Sequence, residues 1–149
     1  MRRSRLVFVV LMLAIMISSL LLMSISMAKT ENQIQDYSLS EIKQMNASDE
    51  EFDFTMNEEG YLEELYGTYS DITVDSWETA LYSLYNIKSL LGIDNPFEEL
   101  EFQECFHDDS GYVYSFRQIN KGELVSDRGL VISCDGRGKI NMLSSSYLN

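Results

Sequence analysis

Residues 100–147 read LEFQECFHDDSGYVYSFRQINKGELVSDRGLVISCDGRGKINMLSSSY, and the alternation of apolar and polar side chains between turn-forming clusters in this stretch decides the fold. Its extended segments are separated by His107-Asp108-Asp109-Ser110-Gly111, by Asn120-Lys121-Gly122 and by Asp135-Gly136-Arg137-Gly138. That punctuation predicts four antiparallel strands in a meander. Leu100, Phe102 and Phe106 share one parity in the first strand, Tyr112, Tyr114 and Phe116 in the second, and Leu130, Ile132 and Cys134 in the third. Each strand therefore has one face to give to a core. The third segment is broken near Ser126-Asp127-Arg128-Gly129. In the fourth, Ile140 and Leu143 differ in parity, which a bulge remedies.

Just before this stretch, Asp75-Ser76-Trp77-Glu78 offers a helix start, with Asp75 as cap and Glu78 completing a capping box. Trp77, Ala80, Leu81, Leu84, Ile87 and Leu91 recur at three- and four-residue steps and form one apolar stripe, with Glu78, Ser83, Asn86 and Ser89 facing away. Leu91-Gly92 followed by Pro96 is a helix stop. One such stripe covers one sheet face, which gives an α+β domain with a helix packed on a four-stranded antiparallel meander. Upstream, Gly60 and Gly67 bound a short strand, and residues 68–74 continue in extended form.

The parity also bears on the two cysteines. Cys134 falls on the inward face, whereas Cys105 falls outward with Glu101, Gln103 and His107, and the meander separates their strands. Side chains so placed cannot meet disulfide geometry, so two free thiols are expected, Cys134 buried and Cys105 exposed.

Outside the domain, Arg2, Arg3 and Arg5 precede an uncharged run over residues 6–28. This is the pattern of an export signal, with the basic end held on the cytoplasmic side. Ser26-Met27-Ala28 offers small residues for a signal peptidase, while the length of the run approaches that of a spanning helix. Residues 1–28 thus read as a signal peptide or a signal anchor, with cleavage left open. Either way the body of the protein is expected outside the cytoplasmic membrane, secreted after cleavage near Ala28 or anchored through residues 6–28.

The whole chain carries 11 basic and 24 acidic residues, a net charge of −13. Without the three leader arginines the balance is eight basic residues against 24 acidic ones, or −16. Nucleic acid is excluded as a partner, because phosphate binding needs a basic footprint. One His and two Cys cannot build a zinc knuckle pair or an iron–sulfur centre, and no cofactor is expected. Residues 29–59 show no sustained period and read as an acidic linker, with Ser38-Leu39-Ser40-Glu41 capping a short helix to about Met45. Within it Asn46-Ala47-Ser48 fits a glycosylation acceptor. Asp53, Thr55 and Asn57 mimic a calcium loop, but Glu58 stands where that loop needs Gly.

The order of elements in residues 60–149 resembles the propeptide domain of fungalysin- and thermolysin-type metallopeptidases, a PepSY-like module with a cystatin-like helix-on-sheet fold. The resemblance is carried by Gly67-Thr68-Tyr69-Ser70 with Val74, by Trp77-Glu78-Thr79-Ala80-Leu81 and Leu90-Leu91-Gly92, by Tyr114-Ser115-Phe116-Arg117-Gln118 with Lys121-Gly122, and by Leu130-Val131-Ile132-Ser133-Cys134-Asp135 with Gly138-Lys139-Ile140. It implies a domain that packs against a peptidase, keeps it inactive and helps it fold. No HExxH zinc motif accompanies it in this chain.

Catalysis is not expected. His107 with Asp108 and Asp109 sits in a predicted hairpin turn, and Cys105 with His107 lacks a visible orienting group or oxyanion turn. The expected function is protein contact, as a trans-acting inhibitor or folding helper of an extracytoplasmic peptidase, or as a membrane-tethered regulator of a sensor kinase or other membrane protein. The partner-binding face is assigned to the sheet surface away from the helix, at Val113, Arg117, Ile119 and Val131.

Overall fold

Six strands pair into one antiparallel sheet in the computed structural model, which describes residues 34–147. The chain divides between Ile34 and Gln35, and the predicted apolar helix over residues 6–28 lies outside the described residues. The elements run α1 (Leu39–Met45), β1 (Asp53–Met56), β2 (Leu62–Tyr66), α2 (Trp77–Ser83), α3 (Lys88–Leu91), α4 (Pro96–Glu99), β3 (Leu100–Asp108), β4 (Gly111–Asn120), β5 (Glu123–Asp135) and β6 (Ile140–Ser145). The spatial order is β1-β2-β6-β5-β4-β3. The four-stranded sheet expected from the sequence is therefore too small, because a β1–β2 hairpin extends it beyond β6.

The stretch read as an acidic linker is folded. Ser38 caps α1, its backbone N–H donating to the Glu41 carboxylate at 2.8 Å, and Ile42 on that helix is fully buried in the core. Phe52, Phe54 and Met56 pack against the same core from β1 and the turn before it. Two hydrogen-bonded clasps hold the segment. Asn46 donates from Nδ2 to the carbonyls of Ile42 (2.8 Å) and Thr68 (2.7 Å), and its Oδ1 accepts from the Thr68 N–H at 2.9 Å. Gly67 must be glycine for this contact, since its φ is +134° and a Cβ there would lie 2.8 Å from Asn46 Oδ1. With both ends of its amide engaged and the residue buried, Asn46 is not available as a glycan acceptor in the folded domain. The second clasp joins Asn86 to the N-terminal arm: its Nδ2 donates to the Gln35 carbonyl at 2.7 Å, and its own carbonyl accepts from the Tyr37 N–H at 2.5 Å.

The predicted single helix is interrupted. After α2 the chain tightens into a 3₁₀ turn, Leu84–Asn86, and Ile87 leaves helical geometry at φ −140° before α3 begins. Gly92 closes α3 in the left-handed conformation (φ 71°), as Leu91-Gly92 predicts. The cap of α2 is Ser76 rather than Asp75, with Thr79 in place of Glu78 as the reciprocal partner. Ala80, Leu81, Leu84, Ile87 and Leu91 are buried as the stripe requires. Three residues depart from the pattern. Trp77 is 37% exposed at the margin, stacked on Phe102 with ring centroids 5.7 Å apart. Ser83 and Asn86 are buried instead of facing solvent: Ser83 Oγ donates to the Ala80 carbonyl (2.7 Å) and meets Tyr69 Oη at 3.0 Å, while Ser70 Oγ donates to Asn86 Oδ1 at 2.6 Å. Tyr69 and Ser70 are buried as well and meet the helix through Ser83 and Asn86. Polar residues survive there because each finds a partner.

The sheet register sorts every strand residue to a face. One row crosses all six strands as Phe54, Leu65, Leu143, Ile132, Tyr114 and Cys105. Leu65, Leu143 and Ile132 are fully buried and Tyr114 nearly so, which makes this row the floor of the core. Burial of each such aliphatic side chain contributes about 1.5–3 kcal/mol. The bulge expected in the last strand is present, since Ser133 pairs with Met142 but Cys134 pairs with Ile140. It lets both Ile140 and Leu143 turn inward.

Candidate interaction surface

A second bulge, on β3, reverses part of the sequence reading. Phe102 pairs with Phe116 and Glu104 with Ser115, so Gln103 is the extra residue and the parity of β3 flips beyond it. Cys105 and His107 come to the core side, opposite Tyr114 and Tyr112, and Phe106 turns to the open side, where it is 67% exposed. Both cysteines therefore share a face, contrary to the alternation in the sequence. They remain free thiols, Cys105 exposed and Cys134 buried, because β4 stands between their strands. Two strand spacings are about 9.6 Å, beyond the reach of a disulfide. Burial, with Asp135 and Cys105 nearby, pushes the Cys134 thiol up to about 11. Burial raises Tyr114 to about 12, with the two thiols adding to the effect.

His107 is a strand residue and not part of a turn. Its ring stacks on Tyr112 with centroids 4.4 Å apart, and Tyr112 continues the stack to Tyr114 at 6.3 Å. Asp108 instead closes the β3–β4 turn, accepting from the Ser110 hydroxyl (2.5 Å) and N–H (2.8 Å), and those bonds hold its carboxyl below the usual range. Among the described residues no three His, Cys, Asp or Glu side chains are grouped so as to hold a metal ion. None of the described helices is long and apolar enough to cross a membrane.

The other face of the sheet is set by the residues that alternate with the buried row. Two rows run across it: Asp53, Tyr66, Met142, Ser133, Val113 and Phe106, and beside them Thr55, Glu64, Ser144, Val131, Ser115 and Glu104. Tyr66 is 46% exposed, and Met142, Val113 and Val131 are half-buried. The apolar side chains form a band along the first row, interrupted by Ser133 between Met142 and Val113, with Val131 in the row beside it. Of the four residues expected at a binding face, Val113 and Val131 belong to this band. Arg117 lies next to it, paired in register with Glu101 and Gly129, and shares with Val131 and Glu104 a hollow of about 310 Å³. Ile119 is set apart. Between Arg117 and Ile119 the partner strand advances from Gly129 to Leu124, and Ile119 lines a different hollow with Glu99, Lys121 and Tyr147.

Phe106, Tyr66 and Met142 are members of the face that alternation in the sequence does not reveal. Phe106 is hidden by the bulge. Tyr66 and Met142 belong to strands whose neighbours in the sheet are remote in sequence. A third hollow, of about 500 Å³, opens beside Tyr66 and Met142 and is lined by Asp49, Glu51, Arg137 and Lys139 as well.

Comparison with protein-family models, with curated proteins and with solved structures finds no match to this chain.

Proposed function

We propose that the chain is an exported, non-catalytic interaction domain that works by docking a protein on the open face of its sheet. The observation that carries this reading is the group Tyr66, Met142, Val113 and Phe106, interrupted by Ser133 and with Val131 beside it, on the sheet face opposite the buried core. Apolar side chains grouped at the surface in this way mark interaction sites in soluble domains. The resemblance of residues 60–149 to peptidase propeptides makes an extracytoplasmic peptidase the first candidate partner, inhibited or helped to fold in trans. The basic and apolar leader supports export, and a retained leader supports the tethered regulator instead.

The test is affinity capture of the tagged full-length protein from solubilised host membranes and from the medium, with mass spectrometry of the bait's N-terminus and of its partners. Bait beginning at Lys29 with a peptidase attached supports the trans-acting reading. An intact N-terminus in the membrane, bound to an integral protein, supports the regulator. Capture that is unaffected by Val113→Lys combined with Val131→Lys, in a variant of unchanged melting temperature, overturns the assignment of this face.

A further inference from the structure

The outer edge of β3 carries two metal-binding side chains of a set that one chain does not complete. β3 is the last strand in the sheet order and pairs with β4 alone among the described residues, so its other edge meets no partner strand. Every residue from Gln103 to Asp108 is exposed. Beyond the bulge, Cys105 and His107 stand two residues apart on one side of this strand, opposite Tyr114 and Tyr112. At the rise of a strand their Cβ atoms are about 6.6 Å apart. A thiolate and an imidazole are two of the four ligands of a tetrahedral zinc site. No group of three candidate ligands exists among the described residues, so the remaining two ligands have to come from another molecule.

The backbone fixes how a second copy supplies them. Asp109 and Ser110 make a two-residue turn, so Asp108 and Gly111 form a hydrogen-bonded pair, and pairs of this kind alternate back along the strand. Phe106 with Val113 is the next one. The N–H and C=O groups of Phe106 and Asp108 are thus spent on β4, while those of Cys105 and His107 point to the free edge. The regular part of that edge, Glu104–Asp108, lies between the bulge and the turn and has Phe106 at its midpoint. An antiparallel copy centred there sets Cys105 against His107 of the second copy, and His107 against Cys105 of the second copy, as two hydrogen-bonded pairs. A register centred on Cys105 would draw in the bulged Gln103, and one centred on His107 would draw in Asp109 from the turn.

We propose that two copies of the chain pair their β3 edges in this register and share one zinc ion between Cys105 and His107 of each. The four side chains rise from one side of the joined sheet, their Cβ atoms about 5 Å apart across the ladder and about 6.6 Å apart along it. That spacing suits zinc–sulfur and zinc–nitrogen bonds of about 2.3 and 2.0 Å. Binding releases one proton from each Cys105 thiol, the imidazoles bind as neutral rings, and the two thiolates balance the charge of the dication. The pairing depends on the metal, because the ladder is short and Glu104 faces Asp108 of the second copy at both of its ends. On the opposite side Phe106, 67% exposed, meets Phe106 of the second copy. The two-fold axis runs perpendicular to the sheet, so the pairing leaves Tyr66 and Met142 uncovered and stands independently of the docking reading.

The experiment is a zinc titration of the full-length chain, kept reduced and in detergent, with protein mass read by light scattering and bound metal by elemental analysis. Zinc should double the mass at one ion per two chains, and a chelator should reverse the doubling. Cobalt in place of zinc should give the visible bands of a tetrahedral site together with a thiolate-to-metal band in the near ultraviolet. Cys105→Ser and His107→Gln should each abolish the doubling at an unchanged melting temperature, since both side chains are exposed. Cys134→Ala should keep the doubling and the cobalt spectrum, because Cys134 is buried away from the edge. Zinc bound without a change of mass, doubling that survives either ligand substitution, or no zinc bound at all overturns the shared site.

Discussion

The two faces of the sheet use the same strands to different ends. On the covered face, successive residues of a row interlock with helices and with the N-terminal arm: Leu65, Leu143 and Ile132 are fully buried, and Phe54 packs onto them from β1. On the open face the neighbouring row places Tyr66, Met142 and Val113 at half exposure, with Phe106 projecting at its end. Leu143 and Met142 are adjacent in the chain, yet one is core and the other surface. The difference teaches that stability and recognition can be separated residue by residue in this domain, since the pleat sends them to opposite sides.

The sharpest way to break that contrast is to truncate the adjacent pair. Leu143→Ala should cost about 2–5 kcal/mol in chemical denaturation, as cavity-forming substitutions do. Met142→Ala should stay within about 0.5 kcal/mol. Equal losses would mean that the open face is itself part of a core. Next comes the clasp that ties the N-terminal arm to the covered face: Asn46→Ala leaves the N–H and C=O of Thr68 without their partners and should cost about 1–3 kcal/mol, measured by the same unfolding curve. A neutral result would mean that residues 35–59 are only laid against the core.

Trp77 sharpens the boundary between the faces. A fully buried tryptophan would lose about 3–5 kcal/mol on truncation. With 37% exposure and one stacking partner in Phe102, Trp77→Ala should lose only about 1–2 kcal/mol, and its fluorescence should be quenched readily by iodide.

The smallest expected effect is on pH dependence. Cys134 is held protonated in the fold, its value raised from 9.0 to about 11, so the unfolded chain releases that proton first. Its contribution is complete below pH 9 and is lost as pH rises through about 11. Tyr114, raised from 10.0 to about 12, adds a later decline of the same sign. Thermal melts between pH 8 and 11 should therefore show a falling melting temperature, and Cys134→Ala should flatten the part between about pH 9 and pH 10. In the native protein at neutral pH a thiol reagent should label Cys105 and spare Cys134 until unfolding, since only the former is exposed.

Much of the covered face was legible in the alternation of apolar residues. Tyr114, Phe116, Leu130, Ile132 and Cys134 all lie inward as their parity predicts, and Ala80, Leu81, Leu84 and Leu91 form the helix stripe over them. The open face was legible only in part. Val113 and Val131 follow from the same alternation, but Arg117 stands at the rim and Ile119 belongs to another hollow. The bulge at Gln103 then moved Phe106 out and Cys105 in, a one-residue event that no periodicity in β3 announces.

What the sequence by itself determined is everything carried by local repetition: the strand segments of residues 100–147, the helix stripe, the glycine stop at Gly92, the acidic balance and the basic and then apolar composition of residues 1–28. Local patterns suffice for these because each depends on side chains a few residues apart. The helix over Leu39–Met45 was announced by its cap, but tertiary structure alone decided that residues 35–59 join the core, that the sheet has six strands, and that Tyr66 and Phe106 end up on one band. Those outcomes depend on contacts between distant segments. A short strand such as β1, four residues of mixed polarity, has no signal of its own and becomes a strand only because β2 offers an edge for its backbone hydrogen bonds.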